Sequence, residues 1–252
     1  MINIILSGCN GKMGRVITRL VAEDDDCAIV AGFDIADSLP NTYPVYKNPA
    51  DCKEKADVLI DFSHPSALEG VLEYCKKTST PAVVCTTGLT SEQRASLDLA
   101  AKEIPMFFSA NMSLGINLLI ALAKKAAKIL EGGFDIEIVE RHHNQKIDAP
   151  SGTALAIADG ISEVHSENSE YVYDRHNVRR KRRKNEIGIH AVRGGTIVGD
   201  HDVIFAGNDE VIELKHSAAS KEVFAVGAVK AAKFLADKPN GMYSMNDLFS
   251  NI

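Results

Sequence analysis

The chain has 252 residues, 45% of them hydrophobic and 25% charged, with 28 basic and 34 acidic side chains and a net charge of -6. This is the balance of a globular protein that can bury a core without disulfides or structural metal, and it excludes a disordered chain. The acidity argues against nucleic acid as a partner.

The N-terminus is a short apolar run that meets glycines at once, without the basic start and long apolar stretch of a signal peptide. Residues 2–7 are predicted to form a buried strand. Residues 13–22 are predicted to form a helix, with Met13, Val16, Ile17 and Leu20 on its apolar face. Further strands are predicted at 28–33, 58–62, 82–85 and 106–109, with helices at 67–76 and 91–102. Apolar strands alternating with amphipathic helices predict a parallel sheet covered on both faces. Beyond residue 112 the pattern changes to a long Ala- and Leu-rich helix at 114–130, a strand at 134–140 and a helix at 151–162. A polar stretch at 167–185 follows, then three extended segments at 186–193, 197–206 and 210–217, read as an antiparallel sheet, and a last helix at 222–236. No run approaches the ~20 apolar residues of a membrane span, so no membrane partner is expected. The five cysteines, Cys9, Cys27, Cys52, Cys75 and Cys85, are odd in number and include no CxxC pair. Reduced thiols in a cytoplasmic setting are expected.

Gly8-Cys9-Asn10-Gly11-Lys12-Met13-Gly14 follows the first strand and opens the first helix. Glycines there permit a tight turn and close approach of a pyrophosphate, and a helix N-terminus offers free N–H groups and positive potential. The spacing is GxxGxxG rather than GxGxxG, a weaker signal when it stands alone. Asp34 ends the second strand twenty residues beyond Gly14, where an acidic residue is expected on the adenosine ribose. Its carboxylate favours a ribose diol and repels a 2′-phosphate, so NADH is the expected cofactor. Lys12 and Arg15 could offset the repulsion, which leaves NADPH admissible. Two later loops, Phe62-Ser63-His64-Pro65 and Thr86-Thr87-Gly88, leave the carboxyl ends of strands and are placed to line the nicotinamide half.

The densest chemistry is the segment ERHHNQKIDAPSGTA at 140–154. Ser151 is a candidate N-cap, and Gly152 and Thr153 would present backbone N–H groups to a carboxylate. Reduction of a C=N or an activated C=C needs a hydride and a proton, and His142 and Lys146 are the candidates to deliver the proton. His143 could orient an anionic substrate. The histidine pair with Asp148 lacks a third ligand at recognisable metal spacing, so no metal is expected. Ser151 lacks the G-x-S-x-G context of a nucleophile.

With GCNGKMGR at 8–15, CTTG at 85–88, SANMSLGINLL at 109–119, the 140–154 segment, IGIHAVRGGTIVGDH at 187–201 and NGMYSMNDLF at 240–249, the sequence resembles dihydrodipicolinate reductase, also described as 4-hydroxy-tetrahydrodipicolinate reductase. The resemblance implies reduction of the dehydrated form of a hydroxylated cyclic imine to tetrahydrodipicolinate with NADH or NADPH, on the route to diaminopimelate and lysine. It implies that His142 is the acid histidine and Lys146 its catalytic partner. It also implies that His143 binds substrate, that Gly152 and Thr153 hold a substrate carboxylate, and that Arg193 lies near the substrate. Gly8, Asn10, Gly11, Lys12, Met13, Gly14, Phe62, Thr86, Thr87 and Gly88, with Ala110, Asn111 and Met112 of the SANM segment, are the expected cofactor positions beside Asp34. The implied fold is α/β, a Rossmann-like parallel sheet in residues 1–110 with residues 222–252 returning to it. Residues 111–221 are by the same resemblance expected to form an α+β substrate-binding and oligomerisation domain on a mixed, largely antiparallel sheet. A homotetramer built through the substrate-domain sheets is implied as well. Ile35 stands where some relatives carry an arginine for the 2′-phosphate, which leans the expectation further toward NADH.

Arg179-Arg180-Lys181-Arg182-Arg183-Lys184 departs from the family pattern. Six consecutive cations repel one another, so an exposed loop is expected, with electrostatic steering of an anionic substrate as the alternative. The run lacks interleaved aromatic residues for stacking on single-stranded nucleic acid.

Overall fold

The computed structural model describes residues 1–36 and 40–249. In chain order the elements are β1 (Ile2–Ser7), α1 (Lys12–Ala22), β2 (Cys27–Phe33), β3 (Val45–Tyr46), β4 (Val58–Asp61), α2 (Leu68–Thr78), β5 (Ala82–Val84), α3 (Ser91–Ala100) and β6 (Pro105–Phe108). Then come α4 (Leu114–Leu130), β7 (Asp135–His142), α5 (Gly152–Ser162), β8 (Glu170–Val172), β9 (Glu186–Arg193), β10 (Gly199–Ala206), β11 (Val211–Ala218), α6 (Glu222–Leu235), β12 (Gly241–Tyr243) and α7 (Met245–Phe249). Two compact units result, one of Met1–Ser113 with the segment from Glu222, the other Leu114–Lys221. Residues 250–252 of the expected returning segment lie outside the described residues.

Among the described residues the first unit holds a seven-stranded sheet of order β12-β6-β5-β4-β1-β2-β3. Every pairing in it is parallel. Its central strands are apolar runs because both faces are covered; β4 is buried along its whole length. One core lies under α2 and α3, with Ile5, Leu59, Val71, Leu97 and Met106 fully enclosed. The strand order reverses between β1 and β4, and open α/β sheets bind ligands beyond the carboxyl ends of strands at such a point. Gly8 lies there at φ +77°, and a Cβ on it would stand 2.5 Å from the Phe62 carbonyl oxygen. A Cβ on Gly14 would stand 2.2 Å from the Gly8 carbonyl oxygen, so α1 can close onto the loop only through a glycine.

The second unit is a five-stranded sheet of order β11-β10-β7-β9-β8. β7 alternates strictly, with Ile136, Ile138, Glu140 and His142 on its buried face. That face packs under α4 and α5 with Ile157, Ile161, Ile189, Val203 and Phe205. The three segments expected as a consecutive antiparallel set are arranged otherwise. β10 and β11 pair antiparallel, but β9 and β10 flank β7 on opposite sides, β9 parallel to it and β10 antiparallel. The connection 194–198 therefore crosses the end of β7. There the Gly194 N–H donates to the His142 carbonyl (2.9 Å) and the Asn144 N–H to the Gly195 carbonyl (3.2 Å). Gly195 takes φ +49° in this crossing.

The basic run is an exposed loop, as expected, with Arg182 alone among its residues part-buried, but most of its cations are paired. The side chain of Arg182 is only 16% exposed and bonds Glu137, Asp135 and the carbonyl of Ile136. Arg180 pairs with Glu186, Arg183 with Glu170 and Lys184 with Asp135. Acids projecting from β7, β8 and β9 neutralise the cations and tie the segment to the sheet. Gly188 makes room for this network, since a Cβ there would stand 1.7 Å from Glu137 Oε2. Burial alone would raise the Glu137 carboxyl, but His190, Arg182 and Arg175 outweigh it and hold it below the usual carboxylate range.

Candidate active site

In the first unit, a cavity of about 520 Å³ opens where β1, β2 and β4 end, lined among others by Gly8, Gly11, Asp34, Phe62, Ser63 and His64. Gly11 is the N-cap of α1 in an extended conformation, and no side chain caps the helix there. The first-turn N–H groups of Lys12 and Met13 are thus left for a ligand, with the positive end of the helix dipole behind them. An uncapped helix start, a glycine loop and a carboxylate at the next strand end make a donor and acceptor set that fits a dinucleotide. Asp34 accepts from the backbone N–H groups of Asn10 (2.9 Å) and Ala36 (3.0 Å), which locks the glycine loop to the end of β2. Asn10 is committed to the protein, since its side chain donates to the Ala36 carbonyl and accepts from Asn41. Ile35 is 89% exposed beside Asp34.

The loops after β4 and β5 are joined by a carboxylate that the sequence reading did not select. Asp61 is fully buried and accepts from the hydroxyls of Thr86 (2.6 Å) and Ser63 (2.5 Å). Thr86 therefore points inward, while Thr87 and Gly88, the latter at φ +76°, are exposed. Ala110, Asn111 and Met112 lie in the turn after β6. There Asn111 Oδ1 accepts from the Ser113 N–H, and Met112 packs so closely on α6 that a Cβ on Gly227 would stand 1.7 Å from its carbonyl oxygen.

In the second unit, the ends of β7, β9 and β10 meet the start of α5. Ser151 caps α5, accepting from the Ala154 N–H at 3.1 Å. A Cβ on Gly152 would meet nothing within 4 Å, so open space lies over the first turn. Register places His201 opposite Glu140 and Arg193 opposite His142. Glu140, fully buried, accepts from His142 Nδ1 (2.6 Å), from the Ser151 N–H (2.9 Å) and from both Nη atoms of Arg193 (2.7 Å each). Burial would raise its carboxyl, but Arg193, His142 and Ser151 together hold it below the usual range. The His201 ring stands edge-on to His142 at 5.2 Å, and burial pushes its pKa down to about 4 with His142 adding to the effect.

Lys146 pairs with Asp148 at 2.8 Å. The lysine, joined by the Gly152 N–H, holds Asp148 below the usual carboxylate range. His142, Lys146, Gly152, Thr153 and Arg193 are thus brought to one end of the second unit, with His143 half-buried beside them. Arg193 has an arrangement its expected substrate role did not anticipate. Its Nη groups serve Glu140 and the carbonyls of Val192 and Asp148, and its Nε is buried without a partner. Glu140 and His201 were missed as site residues. The available signal was the period-two pattern of β7, which puts Glu140 and His142 on the same face as Ile136 and Ile138.

Among the described residues no cluster of three or more His, Cys, Asp or Glu could hold a metal ion, and no helix is long and apolar enough to cross a membrane. All five cysteines are free, and burial pushes the thiols of Cys9 and Cys27 up to about 11.

Family profiles described as dihydrodipicolinate reductase, N-terminus and C-terminus, match residues 2–112 and 115–249. A 4-hydroxy-tetrahydrodipicolinate reductase of Caldanaerobacter subterraneus subsp. tengcongensis is 56% identical over 248 residues, covering 98% of each chain. Another, of Clostridium tetani, is 51% identical and covers 100% of this chain and 98% of its own. Among solved structures, the dipicolinate-bound dihydrodipicolinate reductase of Paenisporosarcina sp. TG-14 superposes with a TM-score of 0.82 at 26% identity, over 98% of this chain and 99% of that one. The two profiles between them span nearly all of the chain, which belongs to the dihydrodipicolinate reductase family.

Proposed function

We propose that the chain divides its family's reaction between its units, residues 1–110 and 222–252 holding the dinucleotide and residues 111–221 holding the substrate. The chain is an oxidoreductase that reduces the dehydrated form of (2S,4S)-4-hydroxy-2,3,4,5-tetrahydrodipicolinate to 2,3,4,5-tetrahydrodipicolinate with NAD(P)H, in diaminopimelate and lysine biosynthesis. The observation that carries the division is the gathering of an oriented histidine, a lysine and the start of α5 at one end of β7.

When bound, the nicotinamide supplies the hydride. Gly8, Gly11 and Gly14 keep side-chain bulk away from the pyrophosphate, and the first-turn N–H groups of Lys12 and Met13 receive it. Asn10 and Asp34 hold that loop in shape. Phe62 lines the cavity, and the resemblance assigns Thr86, Thr87, Gly88, Ala110, Asn111 and Met112, which do not line it, to the nicotinamide side. In the second unit, the N–H groups of Gly152 and Thr153 bind one ring carboxylate at the start of α5, where the helix dipole favours an anion. The chain's own Asp148 already draws on Lys146 and the Gly152 N–H, which supports that corner as a carboxylate receiver. His143 orients the second anionic side of the ring. Either His142, through Nε2, or Lys146, through its ammonium, delivers the proton. Arg193 acts on the substrate through the group it holds.

NADH is the preferred donor and NADPH is accepted more weakly. Asp34 leaves no welcome for a 2′-phosphate, and the exposed Ile35 offers it no charge. The enzyme works in the cytoplasm, a setting that its five free cysteines suit. It assembles as a homotetramer through the second-unit sheets, whose outer strand β11 leaves Val211 and Ile212 exposed. Light scattering after size exclusion tests the assembly.

The test of function is a coupled assay in which the upstream synthase makes the unstable cyclic substrate from pyruvate and aspartate semialdehyde. NADH absorbance falls only with synthase and this protein both present. His142→Gln and Lys146→Met lower kcat on the order of 100-fold while largely sparing the KM for NADH. Near-normal turnover in both variants refutes the proton-delivery roles.

A further inference from the structure

The buried carboxylate of Glu140 has four donors and two oxygens, and it gives each oxygen two partners. Oε2 accepts from His142 Nδ1 and Arg193 Nη1, and Oε1 accepts from the Ser151 N–H and Arg193 Nη2. A carboxylate filled in this way has one orientation. We infer that Glu140 is a positioning residue for the reduction, and that Arg193 serves the reaction by clamping it. The inference rests on the reading of His142 as a proton-delivering group.

An ionised carboxylate can only accept, so His142 must place one proton on Nδ1, and the proton it delivers is a second one carried on Nε2 at the other side of the ring. Gly199 stands on that side. A Cβ there would come within 3.1 Å of Nε2, so the glycine leaves the nitrogen accessible. His201 fixes the ring from its edge, and because burial keeps it neutral it adds no competing charge. The same carboxylate receives the N–H of Ser151, the residue that caps α5. One side chain thus sets the histidine and the helix start together, so the proton donor and the carboxylate cradle keep a common reference. Removing the carboxylate frees His142 to rotate and change tautomer while leaving the dinucleotide unit alone.

This predicts a separation that a purely structural glutamate would not show. In Glu140→Gln, kcat falls on the order of 100-fold or more while the KM for NADH stays within about two-fold of wild type. In 15N-histidine spectra, His142 of the wild type carries its proton on Nδ1, and the variant loses that signature. Glu140→Asp recovers part of kcat. Because Glu140→Gln leaves Arg193 without its counter-ion, the double variant Glu140→Gln/Arg193→Met, which removes both charges, is made beside it. A folded double variant repeats the loss of kcat at unchanged NADH affinity. The inference is overturned if the folded double variant turns over within about three-fold of wild type, well short of the loss expected for a displaced proton donor. An unchanged His142 signature in Glu140→Gln overturns it as well. An inactive His142→Gln beside an active double variant rejects the role of Glu140 alone; a fully active His142→Gln rejects the reading of His142 and this inference with it.

Discussion

The Thr86 hydroxyl donates across 2.6 Å to the carboxylate of Asp61, twenty-five residues away and fully buried at the end of β4. Ser63 donates to the other oxygen, so one side chain ties together the loops after β4 and β5. Thr86→Val removes one donor while keeping the side-chain shape. It leaves a buried acceptor under-satisfied, at a cost of about 1–3 kcal/mol. The expected result is a lower Tm by calorimetry and a several-fold higher KM for NADH, with kcat at saturating cofactor nearly unchanged. A normal KM for NADH in a destabilised variant would separate the tie from cofactor binding.

Asp34 holds the glycine loop through the Asn10 N–H and is also the expected ribose acceptor. Asp34→Ala is expected to raise the KM for NADH by about tenfold, the loss of a charged hydrogen bond. The KM for NADPH should rise less, because the same change removes a repulsive charge. Steady-state kinetics with both cofactors checks this, and an equal rise for both contradicts the discriminating role of Asp34.

His201 gives the second unit a pH dependence. Burial, aided by His142, depresses its pKa to about 4, whereas in the unfolded chain it titrates near the ordinary value of about 6.5. Between those values the unfolded state binds the proton more readily, so stability is present above about pH 6.5 and is lost as pH falls toward 4. The contribution is about 3 kcal/mol at most. Glu140 and Glu137, both depressed, lose their own contributions at the acid end of the same descent. His201→Gln should flatten the fall in Tm between pH 6.5 and 4. A fall as steep as in wild type would assign the dependence to other groups.

Arg182 is the cation of the basic run that the fold uses most. Arg182→Gln breaks its bonds to Glu137, Asp135 and the Ile136 carbonyl, and should cost about 1–3 kcal/mol in denaturant unfolding. Arg179 and Lys181 are exposed. Neutralising those two should leave kcat/KM and its salt dependence unchanged, since single charges on an exposed loop are screened by solvent and salt. A selective drop in kcat/KM at low salt would restore the steering role.

The sheet of the first unit was legible because strands buried on both faces read as apolar runs, as Val58 to Ile60 do, and its helices carry apolar faces at helical spacing. The two- and three-residue edge strands β3, β8 and β12 carry too little pattern to be seen. The positions of β9 and β10 on opposite sides of β7 were also hidden, because period two states which face is buried and not which strand is the neighbour. The candidate residues of the second unit were legible as a dense segment at 140–154. Its buried acids were not. Glu140 and Asp61 look like ordinary carboxylates until the cross-strand partners Arg193 and Thr86 are known. The acids that neutralise the basic run come from strands up to 49 residues away.

The central step is transfer of a hydride from the nicotinamide to the substrate ring. NADH deuterated at the transferable position of nicotinamide C4, turned over with freshly generated substrate, should give tetrahydrodipicolinate carrying one deuterium in mass spectrometry, at a rate that collapses in His142→Gln. Product that forms without the label, or no product with either NADH or NADPH, would contradict it.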